Sequence, residues 1–517
     1  MPKIVIREFD WTKAGGAPYA NFAVVVPGFV SDSANLAVFD ENGVYECTNK
    51  EDFKKNVGLV KAKEHPIADA KAPTRTEEDG WDDAKALTSD EFDTAIATGE
   101  LFIVVPNTPG TIGEYKDAKY EYKRAKTTDK STYVFKPQAD STGEGFTLFM
   151  KLTDAGHDAL TDDHHGNQIA YELLGLGYTV LYKKINDTAS LSQEAFWRPL
   201  KDKTLYDFRY LISGVLSGNI EIYKNMIDVA NFEPENANFD TIGPTTNGRG
   251  DCIALLDIDE DYYRGNGIDQ ETAISQVLAS VKTMPKSKYA AIFAPTVKYA
   301  ASNLNEYSFY DNQWFPASFH YLACAARSSE RFAEWYANAG YTRGISKYTV
   351  EAVGCKFGEA AVNMFQKRAS DPANNILAAI NPIINLRGTY YLWGNRTAEA
   401  LGDAATDLGD LRASHFLNIR QLCSTIKKKV YVTCRQATFE PNSELLWIKF
   451  CNSIKPLLDK MKADQGIADY KILKVKSKRK AFLSAIIRIV PIEAVEDFDI
   501  SIYLENSLSG VIATAEE

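Results

Sequence analysis

Short unbroken apolar runs alternate with longer stretches of helical period along most of this chain, and that rhythm predicts its elements. Residues 22–30 read FAVVVPGFV, the pattern of a strand covered on both faces. Residues 47–58 (CTNKEDFKKNVG) predict a capped helix, with Thr48 or Asn49 at its start and Gly58 just past its end. Residues 167–185 predict helix, glycine stop, then apolar strand. Further on, a helical LYDFRYLISG precedes IEIYKNMIDVANF, and RGDCIALLDI and KYAAIFAP predict buried strands around the amphipathic ETAISQVLASVKTM. Strands separated by helical patterns imply βαβ units with right-handed crossovers and a largely parallel sheet.

Residues 318–340 predict a helix in their first half. KKKVYVTC (427–434) and YKILKVKS (470–477) predict strands, and 443–466 a helix that Pro456 should kink or break. AFLSAIIRIVPI (481–492) predicts another strand. Two β-rich runs lie near the chain ends, KIVIR at 3–7 and FDISIYLE at 498–505, the first followed by the Gly/Pro-rich hinge composition of 12–22. Residues 61–161 change character: a charged, proline-broken start, then separate β-like runs. The expected fold class is therefore multidomain α/β and α+β. The expected domains are an N-terminal arm and hinge (1–21), a central α/β domain (22–60 with 162–380), and an inserted β-rich outer domain (61–161). A C-terminal core domain (381–495) and a C-terminal arm (496–517) follow.

At 517 residues the chain exceeds what one hydrophobic core usually serves, which agrees with that division. A formal net charge of −11 argues against nucleic-acid binding, which needs clustered Lys and Arg. Seven scattered cysteines without a CxxC pair fit reduced core thiols in a cytoplasmic protein. The first residues lack a signal core and no run is long enough to span a bilayer, so neither secretion nor membrane insertion is expected.

Candidate chemistry is thin. Asp162, Asp163, His164 and His165 offer carboxylate and imidazole, but four adjacent residues point in several directions and lack a spaced partner, so a polar loop is the preferred reading. Arg249, Gly250 and Asp251 open a buried-looking strand and read as a turn. No phosphate loop, nucleophile elbow or dinucleotide fingerprint follows a strand. No catalytic residue, metal or cofactor is therefore expected. The alternative is a cytoplasmic α/β hydrolase-like enzyme with an inserted lid.

Four motifs in order supply a more specific signal: Asn381, Pro382 and Asn385; Trp393, Gly394, Arg396 and Thr397; Asn418 and Arg420; and Phe439, Glu440, Pro441 and Asn442. An earlier group precedes them: Ser318, Ala323 to Arg327, Trp335, and AGYTRG at 339–344. This series resembles the contractile tail sheath proteins of bacteriophages and related injection systems, over most of the chain except 61–161. Two departures stand out: Ser328 and Ser329 replace a usual acidic residue, and Gln421 a usual second arginine. Physically, Pro382 and Pro441 fix turns, Gly388 and Gly394 permit tight backbone, and Arg396, Arg420 and Glu440 are expected in buried ion pairs.

The resemblance implies a non-enzymatic subunit with a subtilisin-like topology in its central domain. It implies a virion tail protein, assembled in the host cytoplasm into a helical homopolymer of stacked rings around an inner tube. Contraction then drives the tube through a cell envelope. Baseplate and tail terminator proteins are further partners, with no direct contact to nucleic acid. Terminal arms complete a sheet in neighbouring subunits, which here points to Lys3, Ile4, Val5, Ile6 and Arg7, and to Phe498, Asp499, Ile500, Ser501, Ile502 and Tyr503. Tube attachment through a C-terminal-domain helix makes Lys449, Lys455, Lys460 and Lys462 the candidate contacts. From residues alone, intrachain pairing of both terminal strands stays open.

Overall fold

The computed structural model describes residues 23–31, 34–59, 165–186, 188–215, 219–232, 248–263, 268–281, 283–300, 314–366, 379–400, 412–475, 483–492 and 494, with the backbone of four strands between 101 and 151. The expected arms at 3–7 and 498–503, the residues Asp162, Asp163 and His164, and most of 61–161 lie outside the described residues.

In chain order the strands are β1 (Ala23–Gly28), β2 (Val44–Cys47), β3 (Leu101–Val104), β4 (Tyr120–Arg124), β5 (Thr132–Pro137), β6 (Thr147–Lys151), β7 (Thr179–Lys184), β8 (Tyr210–Leu211) and β9 (Ile253–Asp257). They continue as β10 (Ala290–Ala294), β11 (Val297–Tyr299), β12 (Trp314–Phe315), β13 (Val350–Val353), β14 (Ile380–Leu386), β15 (Thr389–Leu392), β16 (Ile467–Val475) and β17 (Ser484–Pro491). The main helices are α1 (Lys50–Asn56), α2 (His165–Gly175), α3 (Ile220–Ala230), α4 (Gln270–Val281), α5 (Ala317–Ser328), α6 (Glu359–Gln366), α7 (Leu417–Gln436) and α8 (Glu444–Ala463).

Eight strands form one sheet in the order β15-β14-β10-β9-β8-β1-β7-β2. The six inner strands run parallel, and β15 and β2 close the edges antiparallel. Both faces are covered, which is why β1 is apolar without alternation. Val25 packs in one core with Ile222, Val277 and Val362 of α3, α4 and α6. Val24 and Val26 pack in the other with Phe53, Ile169 and Phe319 of α1, α2 and α5. A separate antiparallel sheet, β3-β6-β5-β4, lies within 101–151.

The cap of α1 is as its sequence predicts: the Asn49 side chain accepts from Asp52 N, and Gly58 takes a φ of 78° beyond its end. Three expectations fail. LYDFRYLISG is not helical, because Phe208, Tyr210, Leu211 and Ile212 are buried around β8, between β1 and β9. VYVTC is the last part of α7, not a strand: β-branched preference gives way to a helix whose Leu417, Leu422, Ile426 and Thr433 face inward at helical spacing. Pro456 does not break α8, which runs through it.

The expected domain boundary at 381 also fails, since β14 spans it and pairs with β10 inside the large sheet. The turn into β15 is a two-residue loop with Arg387 at φ 54° and Gly388 at φ 85°, the left-handed pair of a type I′ hairpin. Two compact units emerge, Met1–Phe439 and Glu440–Glu517. The second contains α8, which buries Leu446, Phe450, Ile454, Leu458 and Met461, and the antiparallel hairpin β16-β17. Among the described residues, the outer edge of neither hairpin strand has a partner.

Candidate functional site

The sequence motifs of 381–420 converge on one hydrogen-bonded knot within the first unit. Asn381, fully buried on β14, donates from Nδ2 to Ile292 O at 3.0 Å and to Arg396 O at 2.9 Å, and its Oδ1 accepts from Arg396 N at 2.7 Å. Asn395 and Asn418 form a reciprocal pair: Asn395 Nδ2 donates to Asn418 Oδ1 at 2.7 Å, and Asn418 N donates to Asn395 Oδ1 at 3.1 Å. Asn418 Nδ2 reaches Trp335 O at 3.0 Å. Thr397 Oγ1 donates to Ser414 O at 2.9 Å, and Trp393 N to Pro382 O at 2.8 Å. The knot ties the first turn of α7 to the end of the large sheet, and each amide saturates buried backbone that would otherwise be costly.

Of the residues expected in buried ion pairs, Arg420 and Glu440 depart from expectation. The Arg396 guanidinium stacks 4.8 Å over Phe416, and Arg420 stacks 4.9 Å over Tyr289. Arg420 has no ion pair among the described residues, and Glu440 is half-exposed, 3.9 Å from Lys449. Arg209 and Glu334 form a buried ion pair that the sequence did not single out, to which Thr425 also bonds. Burial pushes the Glu334 carboxyl up, against the pull of Arg209. Gln421, in place of a second arginine, donates to Tyr210 Oη at 2.8 Å and to Tyr321. A neutral amide suits that phenol-lined site.

The second unit opens on the last motif. Phe439, at φ 71° and fully exposed, is the final residue of the first unit, and Glu440, Pro441 and Asn442 lead into α8. Ser443 caps α8 by accepting from Leu446 N at 3.3 Å. All four candidate lysines are exposed. Lys449 and Lys460 lie on one side of an exposed stripe that includes Leu445, Ile448 and Pro456, and Lys455 and Lys462 on the other, as a 3.6-residue repeat requires. Lys462 pairs with Asp469 at 2.8 Å.

Where an α/β enzyme would bind substrate, outside the carboxyl ends of strands at the point where strand order reverses, this protein is filled. That point lies where β1 has β8 on one side and β7 on the other. A Cβ at Gly166 would meet Pro27 O at 2.0 Å, and one at Gly214 would meet it at 2.3 Å. Asn167 Nδ2 spans Gly58 O at 3.0 Å and Phe29 O at 3.3 Å there. Asp257, at the end of β9, spends its carboxylate on α5: Oδ1 accepts from Ser318 N at 2.7 Å and Oδ2 from Ser318 Oγ at 2.6 Å. Burial raises Asp257 to about 7, against those hydrogen bonds. His320 is pushed down to about 3 by burial, and its Nδ1 meets Tyr299 Oη at 2.8 Å. Arg249 and Asp251 pair at 3.0 Å inside a buried turn. No group of metal-ligating side chains occurs among the described residues, and none of their helices is long and apolar enough to cross a membrane.

No protein-family model matches this chain, and no curated protein does. Among solved structures it is similar to a chain of the anti-feeding prophage baseplate, at 12% identity and a TM-score of 0.44, over 65% of this chain and 80% of that one. It is similar to a chain of the PVC sheath complex, an extracellular contractile injection system in its contracted state, at 15% identity and a TM-score of 0.43, over 66% and 81%. It is also similar to the sheath tail protein from Desulfitobacterium hafniense, at 9% identity and a TM-score of 0.35, over 95% and 100%. Likenesses this partial fix neither family nor function.

Proposed function

We propose that this chain is a structural subunit of a contractile tail sheath, polymerising helically around an inner tube and contracting to drive that tube through a cell envelope. The observation that carries the reading is the ordered motif series from Asn381 to Asn442, whose members between 381 and 418 also meet in space. The hairpin β16-β17 supports the mode of assembly. Open strand edges favour addition of another chain's strand, where backbone hydrogen bonds give strength and side-chain alternation gives register. In this reading the segments at 3–7 and 498–503 fill those edges in neighbouring subunits. Head-to-tail exchange of that kind propagates as a helix and does not close into a dimer.

Contraction is then a passage between two packings of the same subunits, driven by new buried surface and charge pairing, with no nucleotide. Inner-tube contact falls to α8, through Lys449, Lys455, Lys460 and Lys462. The subtilisin-like topology that the resemblance implies for the central domain belongs to this proposal too. The hydrolase-like alternative is disfavoured by the filled crevice at Gly166 and Gly214 and by the engagement of Asp257 with α5.

Negative-stain electron microscopy of the purified full chain tests the reading. Hollow helical cylinders of uniform diameter are expected, alone or once tube protein is added. Particles that stay discrete with tube protein present would sink it.

A further inference from the structure

The chain is acidic, yet one patch of its first unit gathers cations faster than carboxylates. Tyr289 lies at its centre: Arg420 stands 4.9 Å over the ring, Lys427 Nζ 4.9 Å and Lys288 Nζ 5.6 Å. Lys203 lies 5.5 Å over Tyr431 of the same helix α7. The local carboxylates are already engaged. Asp251 holds Arg249 at 3.0 Å and has Lys428 at 3.8 Å, and Asp207 bonds Lys428. Among the described residues none of Arg420, Lys427, Lys203 and Lys288 has a carboxylate within ion-pair distance, and Asp251, already holding Arg249, attracts Lys203 only from further away.

Arg420 is the sharpest case. The residue is only 8% exposed, and its buried Nε has no hydrogen-bond partner among the described residues. The guanidinium lies against the face of Tyr289. A ring face attracts a cation but accepts no in-plane hydrogen bond, so stacking leaves the planar fork of donors unused. Lys427, two turns further along α7, spends two donors on Gly250 O and Tyr289 Oη, each at 2.9 Å. Its ammonium is pushed down to about 8, by burial first and then by Arg420, with Lys203 and Lys288 adding to it. Crowded cations with unused donors form half of an ion pair; the missing half is an oxyanion. Arginine is suited to that role because its fork matches carboxylate and phosphate oxygens two at a time.

We propose that the Tyr289 patch, with Arg420 as its anchor and Lys427, Lys288 and Lys203 around it, is a binding site for an oxyanion of the carboxylate or phosphate class. The ligand's oxygens take the unused guanidinium donors, and the lysines neutralise the remaining charge. This inference stands whether or not the chain builds a sheath.

Inorganic phosphate is the probe, titrated calorimetrically into the full-length protein at constant ionic strength set with chloride. Saturable binding is expected, weakened about tenfold or more in Arg420→Gln, as loss of a charge-assisted hydrogen bond implies. Bound phosphate should also slow acetylation of Lys427, followed by peptide mass mapping. Lys288→Glu supplies a carboxylate on the partly exposed side of the patch; it should abolish phosphate binding while keeping the melting temperature, which separates loss of the site from loss of the fold. Phosphate heats equal to the chloride control, or equal affinity in the wild type and Arg420→Gln, would overturn the proposal. The natural source is read in assembly: an acidic side chain of a second copy predicts that phosphate raises the protein concentration needed to polymerise, and a free anion predicts that it does not.

Discussion

The two compact units handle their apolar and polar groups in opposite ways. In Met1–Phe439, the large sheet is covered on both faces, and the motif amides Asn381 and Asn418 are consumed by internal hydrogen bonds. In Glu440–Glu517, one side of α8 is buried while Leu445 is 61% and Ile448 48% exposed, and the hairpin exposes Ile486, Val490 and Ile492. Outside the Tyr289 patch, the first unit closes its sheet and its motif amides on themselves, as a scaffold does. A unit that, among its described residues, leaves strand edges and aliphatic side chains to solvent is suited to being covered by another chain. The comparison can be broken or sharpened by substitution, with stability as the common readout.

The largest effect is expected at Gly166. A methyl group there would meet Pro27 O at 2.0 Å and Gly28 Cα at 2.9 Å, both backbone, so neither can swing away. Gly166→Ala should cost about 4 kcal/mol or more, in the range reserved for severe overpacking, and leave little folded protein by circular dichroism. A melting temperature within a few degrees of wild type would show that the crevice is looser than described. Gly388→Ala is the control: nothing lies within 4 Å, so only its φ of 85° is opposed, and about 1 kcal/mol is expected.

That contrast marks what was legible in the sequence. Strand β1 could be read from its unbroken apolar run, and α1 from its caps, because the signals are local. The helix α7 was misread at Val430, Tyr431 and Val432, where β-branched and aromatic residues outweighed a period that extends back to Leu417. Strand β8 was misread because a two-residue strand carries no period; its place is set by β1 and β9 on either side. The knot residues were legible as motifs, but their partners were not. Asn395 and Asn418 are 23 positions apart, and nothing in that spacing announces a reciprocal amide pair. The same limit explains the expected ion pairs of Arg420 and Glu440, since whether a carboxylate faces a guanidinium is decided by packing.

The next largest effect belongs to that amide pair. Asn418→Ala removes the partner of Asn395 and of Trp335 O and leaves both buried. The cost should be about 2–4 kcal/mol, more than one net hydrogen bond, because two desolvated groups lose their partners. A urea-unfolding midpoint measures it, and a loss under about 0.5 kcal/mol would mean that water replaces the amide.

A pH series sharpens the picture of the first unit. Asp257 has a folded pKa of about 7, above its ordinary value, so the folded state holds this proton more tightly than the unfolded state. Its contribution is full below the unfolded carboxyl pKa and is lost as pH rises through 7. His320 is opposite in sense: lowered to about 3, it withholds stability as pH falls below its ordinary value of 6.5. Each unit of displacement is worth about 1.4 kcal/mol, and the two groups oppose each other over nearly the same pH range. Asp257→Asn should remove the fall in stability between about pH 4 and 7 and leave the opposite slope of His320, from about pH 3 to 6.5, uncompensated. A slope over that range equal to wild type would place the Asp257 titration elsewhere.

The smallest effect on stability is expected in the second unit, and it is the most telling. On β17, Ile486 and Val490 are 43% and 56% exposed and bracket the exposed Arg488. The double change Ile486→Lys with Val490→Lys removes little buried area, so the monomer should stay within about 0.5 kcal/mol of wild type. Lysines on an open hairpin are, however, a known means of discouraging added strands, since they oppose burial of that face. If the proposed sheath assembly holds, sedimentation should therefore show monomer under conditions in which the wild type polymerises. Loss of stability equal to that of Asn418→Ala would mean that the hairpin already serves its own subunit's core, and the contrast between a closed unit and an open one would fall. Polymer formation at wild-type concentration would spare the contrast in stability but remove this face from the assembly contact, leaving the exposed side of α8 as the surface to test.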